Sequence, residues 1–188
     1  MSGRLDVHSA ALLLVDHQTG LLSLNNVLAL ANAAELPTIL ATSFETGPNS
    51  SILPELLEIF PEVPLIARPG QTNAWDDAKF VQAVKATGKQ QLTIAGVVTE
   101  VCAAFVTFPR SGLAVVHASG AFDDITRSSA VARMVAAGAQ PMTWFGVACE
   151  LHRDWRNHVE DLGAPLCKHI ADYQNLVSRY SSFTVAHK

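Results

Sequence analysis

Apolar positions along this chain follow two alternating rhythms. Short runs of nearly unbroken apolar sequence recur, and between them apolar residues fall at helical spacing. The first run, "AALLLV" (Ala10 to Val15), has no polar position at all. A strand with that pattern is one buried on both faces. "PTILAT" (Pro37 to Thr42), "VPLIA" (Val63 to Ala67), "QLTIAGV" (Gln91 to Val97), "LAVVHA" (Leu113 to Ala118) and "QPMTWF" (Gln140 to Phe145) read as strands two to six. Pro141 makes the sixth an edge strand, because proline lacks the N–H a central ladder needs. Helical spacing marks "NNVLALANAA" (Asn25 to Ala34), "ILPELLEIF" (Ile52 to Phe60), "DDAKFVQAVKATG" (Asp76 to Gly88) and "SSAVARMVAAG" (Ser128 to Gly138). The third of these opens on acids, puts Phe80, Val81 and Val84 on one face, and stops at Gly88. A further helix is expected from Glu100. The tail from Val147 reads as helix and loop.

Apolar strands alternating with helices predict an α/β fold, a parallel sheet covered on both sides. In such open sheets the site lies beyond the carboxyl ends of the strands. Three chemically able residues fall on that edge: Asp16 after the first strand, Arg68 after the third, and Cys102 in "GVVTEVCAAF" after the fourth.

Length and composition refine this picture. With 188 residues the chain makes one domain, 1–188, with no repeat, linker or low-complexity stretch. A chain of this size buries roughly 70% of its unfolded surface and needs no staples. Charged residues are only 16% against 49% hydrophobic, which points to surface buried between copies of the chain. The net charge of -4 favours neither nucleic acid nor anionic membrane as a partner. No run is long enough to span a bilayer, and no secretory leader pattern opens the sequence. Three irregularly spaced cysteines are not a disulfide framework, so reduced thiols in a cytoplasm are expected.

A thiol near a helix N-terminus faces the positive end of the dipole, which favours thiolate. Its bland alternative is a buried, inert cysteine. A carboxylate directly after "LLLV" is costly to bury, so Asp16 is either a turn residue or a proton acceptor for a neighbouring thiol. Arg68 is either a surface arginine before "PG" or a fixed positive charge that lowers both pKa values. His17 lines a pocket or is simply solvated. "CELH" (Cys149 to His152) offers two metal ligands at helical spacing without the further pair a site needs. The segment "WFGVACELHRDW" looks suited to a subunit interface. Serine-hydrolase elbows, P-loops and dinucleotide fingerprints are absent from the sequence.

The segments "ALLLVDHQTGLLSL", "LPTILATSFETGPN", "ARPGQTNAWDD", "GVVTEVCAAF" and "MTWFGVACELHRDWRN" together resemble the isochorismatase-like cysteine hydrolases, most closely the YcaC-like group. The resemblance implies a three-layer, six-stranded parallel sheet in the Rossmann-like order 3-2-1-4-5-6, flanked by helices. It implies a triad of aspartate, lysine and nucleophilic cysteine, with Asp16 and Cys102 in two of the places. It places a cis non-proline bond at Val97–Val98 and an oxyanion hole made by the Val98 and Cys102 amides. Phe44, Asn73 and Trp75 sit in matching motifs as pocket-lining candidates, or as ordinary packing residues. No metal or other cofactor is implied, because "TSFETGPNSS" lacks the histidines of the nicotinamidase relatives. A small C–N-bond substrate, a cytoplasmic location and a homo-octamer follow by the same likeness. Two features differ from the family. Arg68 stands where it has lysine, and arginine does not give up a proton at working pH. The chain is also short after Leu24 and after Phe105. Arg68 in that place leaves a second reading, an inactive oligomeric scaffold or small-ligand binder. An isochorismatase-type vinyl ether hydrolase fits less well, because that chemistry does not use the thiol.

Overall fold

The computed structural model describes residues 4–19, 36–108, 112–156 and 159–186. The helix expected over Asn25 to Ala34 lies outside these residues, as does Pro109 in the short segment after Phe105.

Six strands run parallel: β1 (Ala10–Val15), β2 (Thr38–Ser43), β3 (Leu65–Arg68), β4 (Gln91–Gly96), β5 (Leu113–Val115) and β6 (Gln140–Met142). Their order is β3-β2-β1-β4-β5-β6. The helices are α1 (Pro54–Ile59), α2 (Ala78–Ala86), α3 (Ala104–Thr107), α4 (Asp124–Ala136), α5 (Trp144–His152), α6 (Val159–His169) and α7 (Ala171–Ala186).

β1 shows why the sheet lies inside. All six of its residues are buried, and they divide by parity. Leu12 and Leu14 join a cluster with Leu40, Leu56, Trp144 and Val147, built under α1 and α5. Leu13 and Val15 join another with Phe80, Val84, Ile94 and Val106, built under α2 and α3. Alternate side chains of a strand leave on opposite faces, so an unbroken apolar run feeds two cores at once.

β1 pairs with β4 from Ala10 opposite Gln91 to Val15 opposite Gly96, and with β2 from Leu12 opposite Thr38 to Val15 opposite Ala41. β2 and β3 pair up to Ser43 opposite Arg68. The strands therefore end together, and the residues that follow them share one edge.

Several elements differ from the sequence expectation. The sixth strand ends at Met142, not Phe145. Thr143 caps a helix there, its Oγ1 accepting from Gly146 N–H at 3.1 Å. Trp144, Val147 and Ala148 then point into the chain's own core, so these apolar residues of "WFGVACELHRDW" are not spent on a subunit interface. α4 starts four residues early, where Asp123 and Thr126 form a capping box. Pro141 does lie on an edge strand. The helix expected from Glu100 is instead a π-helical turn, Thr99–Ala103, running into the short α3.

Candidate active site

The cysteine turn is built on close backbone approach. A Cβ on Gly96 would lie 3.0 Å from Ala103 N and 3.1 Å from Val15 O, so only glycine lets the turn sit this near the end of β1. The Val98 carbonyl accepts from Val101 N–H at 3.2 Å and from Ala103 N–H at 3.4 Å, and the second bond makes the turn π-wide. Thr99 fastens the turn to the β5 exit, donating from both N–H and Oγ1 to the Gly120 carbonyl at 2.6 Å. Ser119 Oγ accepts from Gly96 N–H at 3.1 Å and donates to Val115 O at 2.9 Å. The Val97–Val98 peptide bond is cis.

Asp16 follows β1 with φ 58, a left-handed conformation that aspartate tolerates better than most residues. Its carboxylate is met by Arg68 Nη2 in a salt bridge whose side chains are 0% and 2% exposed, arginine first. The surface-arginine reading of Arg68 is thereby excluded. Its Nη1 donates to the Gln71 carbonyl. Cys102 lies near enough to the Asp16 carboxylate and the Val98 N–H for both to act on its thiol, the first raising its pKa and the second lowering it. The edge thus brings Asp16, Arg68 and Cys102 together, the acid and the cation hydrogen-bonded and the thiol beside them.

The electrostatics differ from the sequence expectation. Burial pushes the Cys102 thiol well above its ordinary pKa, and the Asp16 charge pushes it further; the Val98 N–H and Arg68 only partly oppose this. The resting group is therefore a neutral thiol, not the thiolate expected at a helix N-terminus. Cys102 is the fourth residue of its turn and lies against a carboxylate, which outweighs the dipole. Burial also raises Asp16, against the pull of Arg68.

The next two residues grip opposite sides of this set. His17 Nε2 bonds the Ala118 carbonyl at 3.2 Å, towards the β5 exit. It is 1% exposed, and burial lowers its pKa to about 4, so it is neutral rather than solvated as a charged group. Gln18 turns the other way. Its Oε1 accepts from Ser43 N–H at 3.0 Å and its Nε2 donates to Ser43 O at 3.1 Å. Neither Gln18 nor Ser43 is picked out by sequence pattern; both act through backbone groups distant in the chain.

The three pocket candidates have local duties. The Asn73 side chain accepts from Trp75 N–H at 3.1 Å, capping a 3₁₀ turn over Ala74–Asp76. Trp75 Nε1 donates to Val106 O at 2.9 Å, and its ring meets Phe80 edge-on at 5.4 Å. Phe44 has φ 51 and is 48% exposed, with its ring laid over Gly47. Among the described residues, no three or more His, Cys, Asp or Glu side chains gather as a metal site, and no helix is long and apolar enough to cross a membrane.

This sheet order sets an acid, a cation and a thiol side by side at one carboxyl edge of a parallel α/β fold. No family model matches the sequence. The protein named "Probable hydrolase YcaC" from Escherichia coli (strain K12) is 57% identical over 199 residues, covering 96% of each chain. The chain belongs to the YcaC family of probable hydrolases. The alignment is longer than the 188-residue chain, so the chain carries gaps against that relative. A solved structure of YcaC from Pseudomonas aeruginosa, with hexane-2,5-diol and covalent acrylamide, is 54% identical with a TM-score of 0.92, covering 96% of this chain and 98% of that one. The solved E. coli YcaC, described as an octameric hydrolase of unknown specificity, is 56% identical with a TM-score of 0.91, covering 96% and 97%. An isochorismatase family protein from Burkholderia thailandensis shares the fold at 18% identity and a TM-score of 0.62, covering 77% of this chain and 96% of that one.

Proposed function

We propose that the chain is a cofactor-independent cysteine hydrolase that opens a small C–N-bond substrate of amide type. The observation that carries this reading is the Asp16 carboxylate, which meets both the Cys102 thiol and the Arg68 guanidinium. Asp16 takes the thiol proton as the Cys102 sulfur attacks the carbonyl carbon. The C=O electron pair moves to oxygen, which the Val98 and Cys102 amides hold. The Val98 N–H acts on the Cys102 thiol, which supports its place in such a hole. On collapse the C–N bond breaks and Asp16 returns the proton to the departing nitrogen, leaving a thioester acyl-enzyme. Water then attacks, giving its proton to Asp16, and the thiol leaves with that proton restored. Arg68 stays charged throughout and keeps Asp16 oriented. A neutral thiol beside a buried base suits this route, because charge develops only as the nucleophile forms.

The covalent acrylamide on the Pseudomonas relative supports the assignment, since acrylamide is an electrophile that thiols capture. Phe44, Asn73 and Trp75 are proposed to border the substrate. A cytoplasmic location accords with the three free cysteines. An octamer accords with the E. coli relative.

The strongly raised thiol pKa favours one competing reading, an inactive scaffold or small-ligand binder of the same fold. A panel of small neutral amides separates the two. Turnover by wild type and its loss in Cys102→Ala is the expected result. Equal product release by both proteins would remove Cys102 from the chemistry, and no turnover across the panel would favour the scaffold.

A further inference from the structure

Among the described residues the Arg68 guanidinium is held at two points. Nη2 donates to Asp16 and Nη1 to the Gln71 carbonyl, while the buried Nε has no partner. The orientation that Arg68 presents to Asp16 therefore depends on where the Gln71 oxygen sits. That oxygen lies in the loop after β3, and a second donor reaches it. The Ser43 hydroxyl donates to the same carbonyl at 3.3 Å.

Ser43 is the last residue of β2, 6% exposed, and stands opposite Arg68 in the ladder. Its backbone N–H and C=O are both taken by the Gln18 amide. A neighbouring strand would ordinarily supply that pair of bonds; here a side chain supplies them after β1 has ended. Gln18 is 1% exposed, and its Nε2 also reaches the Ser50 carbonyl. Hydrogen bonds run unbroken from Gln18 to Ser43, to Gln71, to Arg68 and to Asp16, with Cys102 beside that carboxylate.

We propose that Ser43, seated by Gln18, is a positioning residue for the hydrolase, fixing the Arg68 guanidinium against Asp16 by sharing the Gln71 carbonyl. The proposal rests on the reading of Asp16, Arg68 and Cys102 as the reacting set. A duty confined to holding the loop would cost stability and nothing else. A positioning duty also changes how strongly the guanidinium favours the charged forms of Asp16 and Cys102.

Acrylamide addition to Cys102, followed by peptide mass mapping across a pH series, separates the two without a known substrate. The set comprises wild type, Ser43→Ala, Ser43→Thr, Gln18→Met and Arg68→Ala, each with its melting temperature. Ser43→Ala should react roughly fivefold more slowly at a fixed pH, the effect of one lost hydrogen bond. Its pH–rate profile should move to higher pH, because a loosened cation lowers neither group as well. Ser43→Thr keeps the hydroxyl and should restore the profile. Gln18→Met should shift in the same direction as Ser43→Ala, and Arg68→Ala further. A Ser43→Ala profile that overlays wild type while Arg68→Ala is shifted would overturn the proposal and leave the reacting set intact, whatever the melting temperatures. If Arg68→Ala also overlays wild type, Arg68 is not the charge partner, and both the reading and the proposal fall.

Discussion

At the scale of single residues, Asp16 stands in two roles that pull apart under mutation. As a charge beside Cys102 it raises the thiol pKa. In the proposed reaction it is the base that removes the thiol proton. Asp16→Asn therefore has opposite consequences in the two cases. If Asp16 were only a neighbouring charge, the variant would hold more thiolate and add acrylamide faster than wild type. The expected result is slower addition, by roughly 10²-fold or more for loss of a general base, measured by intact mass at neutral pH in a variant with an unchanged circular dichroism spectrum. His17 gives a second test. Its folded pKa of about 4 lies below the ordinary 6.5, so unfolding takes up a proton as pH falls. The stability it contributes is whole above pH 6.5 and is lost as pH falls towards 4, on the order of 3 kcal/mol over that window. Asp16, raised by burial, works in the opposite sense near the lower end, so the comparison is between proteins. In urea melts across this range, His17→Gln should lose less stability than wild type; parallel curves would show that His17 is not held neutral by the fold.

At the scale of elements, the strands that could be read were those whose chemistry is uniform. "AALLLV" allows one outcome, because no solvent-facing alternation is possible. "QPMTWF" did not, since its last residues are apolar enough for a strand yet follow Thr143, whose hydroxyl starts a helix. A cap contributes about 1 kcal/mol, comparable with the strand preference it displaces. Asp16, Arg68 and Cys102, the residues proposed to react, stood out because charged or reactive groups just beyond apolar strands have few packing reasons to be there. Gln18 and Ser43 were not, because hydrogen bonding to a distant backbone leaves no periodic trace. The π turn was hidden too, since its width comes from one carbonyl bonding Ala103 rather than from residue type. Gly96 is its structural requirement. Gly96→Ala places a methyl against backbone on two sides and should cost about 1–3 kcal/mol, seen as a lower urea midpoint. An unchanged midpoint would mean the turn has room to retreat.

At the scale of the molecule, exposed apolar side chains remain after the cores are filled. Phe122 is 75% exposed, Ile125 82% and Tyr180 71%. Such groups, together with the low charge content, support assembly. Light scattering should give the mass of an octamer, and a value near 20.1 kDa would show a monomer instead. The strand order has a consequence in time as well as in space. β1 is made first yet lies between β2 and β4, with Ala10 opposite Gln91. A nascent chain can zip β1 to β2 early, but the other edge stays open until β4 has left the ribosome. Pairing so remote in sequence is slow to close. Asp16 therefore waits for Cys102: the acid is made long before the thiol, and a chain interrupted between β3 and β4 holds Asp16 and Arg68 without the cysteine that lies beside them.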